Sequence, residues 1–465
     1  MWLFVPVLLL ALLHYLVAIR NYGLLTPDGL FVVAQLLMTY GTVRLVDEDS
    51  VPEVRYAHLM LWAVTVYLVV SLATFLGLTR RWGTARRRVG PARPYQVRLV
   101  PPTGSVVVGT VVALGVTAIY FVAVGYSAFV VGLQGLLSGE QQDVSTLRLE
   151  SYAGETYLFP GYANQFRNVF LPSLAVVLAL WFFSRPSLAG RVFALFPLGL
   201  AVLGLVGTGQ RGAFFLFLLT MVVYAFLAAG HAMSRWMLLV PLLGTPMVLL
   251  ATQVLGRSAG AAGHPLQALL SELYRRFFED NQLSGIAAFN YTAQLPVQNG
   301  AEWFRSLRGL LPGDRGSTLA NEVFATLYGS RMGTSPPSLW GSIHHNFGSF
   351  GVIVAAVLLG FALQMLTFHA VRGRRYNSLQ LIGYAGITVV LGTWVAGGPD
   401  TPLNCGLLAY AVLWYWGRRL ERAERAVPVA PDGSAPPNRG GSGRPPPRPV
   451  NRPQPGPARL AAGRW

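Results

Sequence analysis

The chain carries about eleven apolar runs of the length that a bilayer core demands, and these constrain it more than any motif does. A helix needs about 20 mostly apolar residues to cross the hydrocarbon layer, where no water is present to satisfy backbone hydrogen bonds. The runs cover approximately residues 2–19, 29–46, 57–78, 104–133, 169–184, 190–207, 212–229, 236–255, 347–370, 379–397 and 402–417. Only 12% of the 465 residues are charged, against roughly a quarter in soluble proteins. The expected fold is therefore an all-α polytopic integral membrane protein of about eleven transmembrane helices. The first run has no basic region before it and no small-residue cleavage pattern after it, so it is expected to be a retained helix rather than a signal peptide.

Charge gives the orientation. The formal net charge is +17, and all 36 basic residues are arginine. In a soluble chain this would suggest nucleic acid; here the arginines cluster between apolar runs and in the tail, which fits topology and anionic headgroups, and no nucleic-acid partner is expected. Arg80 to Arg98, Arg185 to Arg191, Arg372 to Arg375 and the end from Arg418 fall on one side of the membrane. The alternate connections hold Asp47, Glu48, Asp49 and Glu53, then Glu140 to Glu155, then a long loop, then Asp400. The positive-inside rule puts the C-terminus in the cytoplasm and the N-terminus outside. Residues 1–425 are expected to form the membrane domain, with an extracytoplasmic loop at 256–346. Residues 426–465, rich in Pro, Arg and Gly, are expected to be a disordered tail that contacts the inner leaflet or docks a protein. Cys405 stands alone in an apolar run, as a small packing residue.

Candidate chemistry concentrates in the long loop and one earlier turn. Gly207-Thr208-Gly209-Gln210-Arg211-Gly212 opens a helix, and Arg211 beside free backbone N–H groups suits phosphate oxygens. An arginine reaching for headgroups beside a tight turn would look the same. Residues 266–278 have helical apolar spacing, with Arg275 and Arg276 near the end, on an interfacial helix or a solvated one. Arg305 and Arg308 share a face of a helix that Pro312-Gly313-Asp314 ends, and could grip a phosphate or a sugar ring. His344 and His345 precede the run at 347–370; adjacent histidines diverge on a helix, so they do not readily share a metal. Either suits a general base or a hydrogen-bonded structural role. No metal site is expected. Without lysine there is no Walker motif, and neither a dinucleotide fingerprint, a serine nucleophile elbow nor a zinc-protease helix occurs.

Three stretches resemble the bacterial oligosaccharide repeat-unit polymerases, the O-antigen polymerases of the Wzy type: Gly207 to Gly212, Leu307-Arg308-Gly309-Leu310-Leu311-Pro312, and Gly341 to Gly351 with His344-His345-Asn346. The likeness spans residues 160 to 415. The family often has a carboxylate where Ser342 stands, and Glu322 or Asp314 is the candidate to replace it. The resemblance implies a GT-C-like fold with a long, partly helical extracytoplasmic loop, in a bacterial cytoplasmic membrane. It implies transfer of a glycan from one polyprenyl-pyrophosphate carrier to the non-reducing end of another lipid-linked repeat, without metal, nucleotide or other cofactor. Arg211, Arg275, Arg276, Arg305, Arg308 and Asn346 are then the substrate-binding candidates, and His344, His345 and Asp314 the catalytic ones. The implied partners are the lipid-linked oligosaccharide, membrane lipids, and a chain-length regulator and flippase of the same pathway. Other readings are a ligase, a GT-C transferase using the acidic Asp47-Glu48-Asp49 loop, and a flippase; the last fits poorly with the absence of an internal repeat.

Overall fold

The computed structural model describes residues 4–81, 96–138, 147, 162–209, 211–229, 244, 267, 271, 274–309, 311, 316–331, 333–372 and 375–426. The chain divides into two compact units, Met1–Glu421 and Arg422–Trp465, and only residues 422–426 of the second are described. The run at 236–255, apart from Gly244, and the tail from 427 onward lie outside the described residues.

The helices are α1 (Phe4–Tyr22), α2 (Pro27–Leu45), α3 (Val51–Arg81), α4 (Gly104–Val124), α5 (Ala128–Ser138), α6 (Phe166–Phe183), α7 (Leu188–Val206) and α8 (Arg211–Ala228). They continue as α9 (Asn281–Ala293), α10 (Ala301–Arg308), α11 (Leu319–Tyr328), α12 (Leu339–Arg372), α13 (Ser378–Gly392), α14 (Thr401–Asn404) and α15 (Leu407–Ala426). Two three-residue strands, β1 (Gln96–Arg98) and β2 (Arg375–Asn377), pair in parallel. Among the described residues seven helices are long and apolar enough to cross a membrane: α1, α3, α4, α6, α7, α12, and α13 extended to Ala396. The architecture is all-α and of the multi-pass membrane type.

Local chemistry sets the boundaries. Thr26 caps α2 by accepting from the Gly29 N–H, and Pro27 fills its first turn. Ser187 and Asn377 cap α7 and α13 in the same way. The apolar run at 104–133 is two helices rather than one, because Gly125 at φ 80° ends α4 in a left-handed turn. The late run begins earlier than hydropathy places it: α12 starts at Leu339, so His344, His345 and Asn346 lie within a helix rather than ahead of one. Its polar first turns mask the continuity, and the helix bends at Gly348, whose φ of 65° and ψ of −171° are not helical.

α3 and α12 pack against each other. Where they cross, a Cβ on Gly360 would stand 2.9 Å from the Tyr67 carbonyl oxygen, so the backbones approach as only glycine permits. The two ends of the bundle differ. At one, β1 pairs with β2, Val100 N–H donates to Ser378, and Asn377 donates to the Gly417 carbonyl beside Arg418 and Arg419. Three basic stretches thereby meet at one end. At the other, Asn290 of α9 donates to Glu53 at the head of α3, and α10 packs on the first turns of α12.

Candidate functional site

The site is built around α10 and the first turns of α12. Gly348 interrupts the helical ladder, and the turn at Asn299-Gly300 meets the carbonyls just before that break. Gln298 N–H donates to the His345 oxygen (2.9 Å), and Gly300 N–H to the Asn346 oxygen (3.2 Å). Asn299 and Gly300 both have positive φ, which Asn and Gly tolerate best. The turn leads directly into α10.

Asn346 is fully buried and uses both ends of its amide. Its Oδ1 accepts from the Trp303 backbone N–H (3.1 Å), capping α10 from another helix. Its Nδ2 donates to Glu302 Oε2 and to the Ser342 carbonyl, each at 3.0 Å. Glu302, 5% exposed, also accepts from the Ser317 hydroxyl. Trp303 Nε1 donates to Ser342 Oγ (2.9 Å), so Ser342 is tied to α10 through the indole.

A second carboxyl group joins this cluster from the segment between α13 and α15. Asp400 bonds the Ser306 side chain, one turn after Glu302, and accepts from Asn404 Nδ2 (3.0 Å). A Cβ on Gly398 would lie 3.3 Å from Asp400 Oδ1 and 3.4 Å from Ser342 Oγ, so both side chains border the same glycine. Burial pushes the Asp400 carboxyl above its ordinary value, with the charge of Glu302 acting in the same direction; the bonds from Ser306, its own backbone and Asn404 oppose the shift. Two carboxyl groups thus share a small, largely buried site.

The two histidines diverge. His345 is 6% exposed, lies within electrostatic reach of Glu302 and Arg305, and has a buried Nδ1 with no partner among the described residues. His344 instead packs against Phe289, the rings tilted by 41° with centroids 4.9 Å apart, near Arg55. Arg305 and Arg308 are exposed on the side of α10 adjacent to buried Glu302 and Ser306, and Arg308 stands over the Phe304 ring. Arg275 pairs with Asp280 at 3.4 Å, and its neighbour Tyr274 bonds Arg44 of α2. Glu322 pairs with Arg331. Asp314 and the side chains of Arg211 and Arg276 lie outside the described residues.

Sequence reasoning missed Glu302, and it took Asp400 for a loop acid. The available signal was the spacing of Glu302 and Ser306, four apart, against Arg305 and Arg308 on a short amphipathic helix. It also missed Arg167, buried at the head of α6, whose guanidinium lies 4.7 Å over Tyr120 and donates to Asn164 and Asn168. Gln165 beside it donates to the carbonyls of Leu403 and Asn404, linking this arginine to the Asp400 segment. The Gly207 carbonyl accepts from Ser127, and Thr208, next to it, is buried. No family model, curated protein or solved structure matches the chain.

Proposed function

We propose that the protein polymerises polyprenyl-pyrophosphate-linked oligosaccharide repeats at the outer face of a bacterial cytoplasmic membrane. The observation that carries this reading is the two-faced α10. One face sends Glu302 and Ser306 into a buried cluster with Asn346, Ser342 and Asp400, and the adjacent exposed side presents Arg305 and Arg308. Such a helix offers proton-handling groups and planar cations together, at one end of a bundle of apolar spans.

The chemistry needs little else. The sugar hydroxyl of the acceptor attacks the anomeric carbon of the donor; a new C–O bond forms, and the bond to the pyrophosphate oxygen breaks. The hydroxyl proton passes to His345 or Asp400, and the carrier departs as polyprenyl pyrophosphate against Arg305 and Arg308. Glu302, held by Asn346 and Ser317, is a positioning residue. Because the donor already contains a good leaving group, no nucleotide is required.

The test is a strain lacking this protein, complemented with wild type or with Asp400→Asn. The expected result is that, without active protein, single repeats accumulate on the carrier at the outer face and polymer is lost. Intermediates confined to the inner face would replace this reading with a flippase, and full-length polymer stranded on the carrier would replace it with a ligase.

A further inference from the structure

A second polar cluster lies within the bundle, away from α10. Asp28 at the head of α2 and His14 of α1 are both fully buried. Asp28 Oδ1 accepts from Tyr67 (2.8 Å) and Ser71 (2.6 Å) of α3, and its Oδ2 accepts from Tyr22 of α1. His14 Nε2 stands 3.4 Å from Asp28 Oδ2 and 3.0 Å from Ser71 Oγ. α12 adds Gln364, whose oxygen is 3.1 Å from both the Tyr22 and Ser71 hydroxyls, and Thr367, which contacts the Asp28 N–H. The titratable groups facing His14 are thus Asp28 from α2, Tyr22 of its own helix and Tyr67 from α3, while α12 presents neutral amide and hydroxyl groups.

The backbone of α1 is shaped for this cluster. Residues eight apart on an α-helix lie about 80° out of line, and the extra residue a π turn absorbs brings this to about 20°. The π turn Tyr15–Ile19 sits between His14 and Tyr22, so both face Asp28.

The acceptor sites of Asp28 are matched by three hydroxyl donors and the imidazole, an environment built for a carboxylate. A lone negative charge in the interior of a membrane protein is costly, and a proton on His14 would cancel it. His14 Nδ1 is the available atom: it is buried and has no partner among the described residues. We propose that His14 and Asp28 form an intramembrane proton-binding site, in which Nδ1 of His14 takes up one proton and Asp28 serves as its counter-ion. This inference is independent of the glycan reading, although α12 connects the two clusters.

The experiment is NMR of the full-length protein in lipid nanodiscs, with its seven histidines isotopically labelled. His14→Asn identifies the His14 signal. That signal should titrate as a single imidazole between about pH 5 and pH 8, and Asp28→Asn should move its midpoint by about one pH unit or more. If either variant does not fold, Tyr67→Phe removes one donor to Asp28 while keeping the ring, and should move the midpoint of one imidazole alone. A His14 signal that stays constant across the range, or midpoints indifferent to both Asp28→Asn and Tyr67→Phe, would overturn the proposal.

Discussion

The amide of Asn346 joins a helix cap, a carboxylate and a carbonyl. Asn346→Ala leaves Glu302 and the Trp303 N–H short of partners in a buried place, with an expected loss of about 2–4 kcal/mol in thermal unfolding of the detergent-solubilised protein. Gly348→Ala meets no neighbouring atom, so its cost is conformational alone. At φ 65° and ψ −171° that cost is about 1–3 kcal/mol by the same measurement. Asp400 gives a pH signature. Its folded-state value is raised, so the folded protein holds this proton more tightly than the unfolded chain does. The stability it contributes is full below about pH 4 and is lost as pH rises through the folded value. Stability measured against pH should be flatter over that interval in Asp400→Asn; an unchanged profile would place Asp400 in a more open setting. Glu302 and Asp400 were hard to see in sequence for a physical reason: 98 residues separate them, and a tertiary approach of a loop to a helix leaves no periodic trace.

Elements explain why some of the site was legible and some was not. The pairing of Arg305 with Arg308 on one face of a helix follows from spacing alone, and α10 has that form. The divergence of His344 from His345 likewise follows from helical geometry, and the two rings meet different neighbours. The start of α12 was not legible, since Ser342, His344, His345 and Asn346 lower hydropathy below what a spanning run shows. Among the described residues, three π turns, at Tyr15–Ile19, Phe166–Phe170 and Arg276–Asp280, leave no mark in hydropathy, yet each adjoins or contains polar side chains that a regular helix would place differently. Two predictions belong here. Arg305→Lys keeps the charge but loses the planar fork; polymer synthesis should fall about tenfold or more while stability stays within about 0.5 kcal/mol. Gly360→Ala forces α3 and α12 apart, and unfolding temperature should register about 1–3 kcal/mol of lost stability.

For the whole molecule, apolar run length and the alternation of loop charge were the informative signals. The basic stretches at 96–98, 375–377 and 418–419 meet through β1, β2 and Gly417, and the acidic positions Glu53 and Asp400 contact α9 and α10. Buried polar pairs were much less visible: His14 and Asp28 read as interruptions in or beside apolar runs, and only the packing of four helices brings them together. The proposed transfer of glycans between lipid carriers at the α10 cluster is measured with purified full-length protein in nanodiscs, supplied with the lipid-linked repeats extracted from the deletion strain. Wild type should produce chains lengthened by whole repeats and release one polyprenyl pyrophosphate per addition, while Asp400→Asn, equally folded, should slow both by about a hundredfold or more. Absence of chain growth and of carrier release with wild type, or equal rates in the variant, would contradict it.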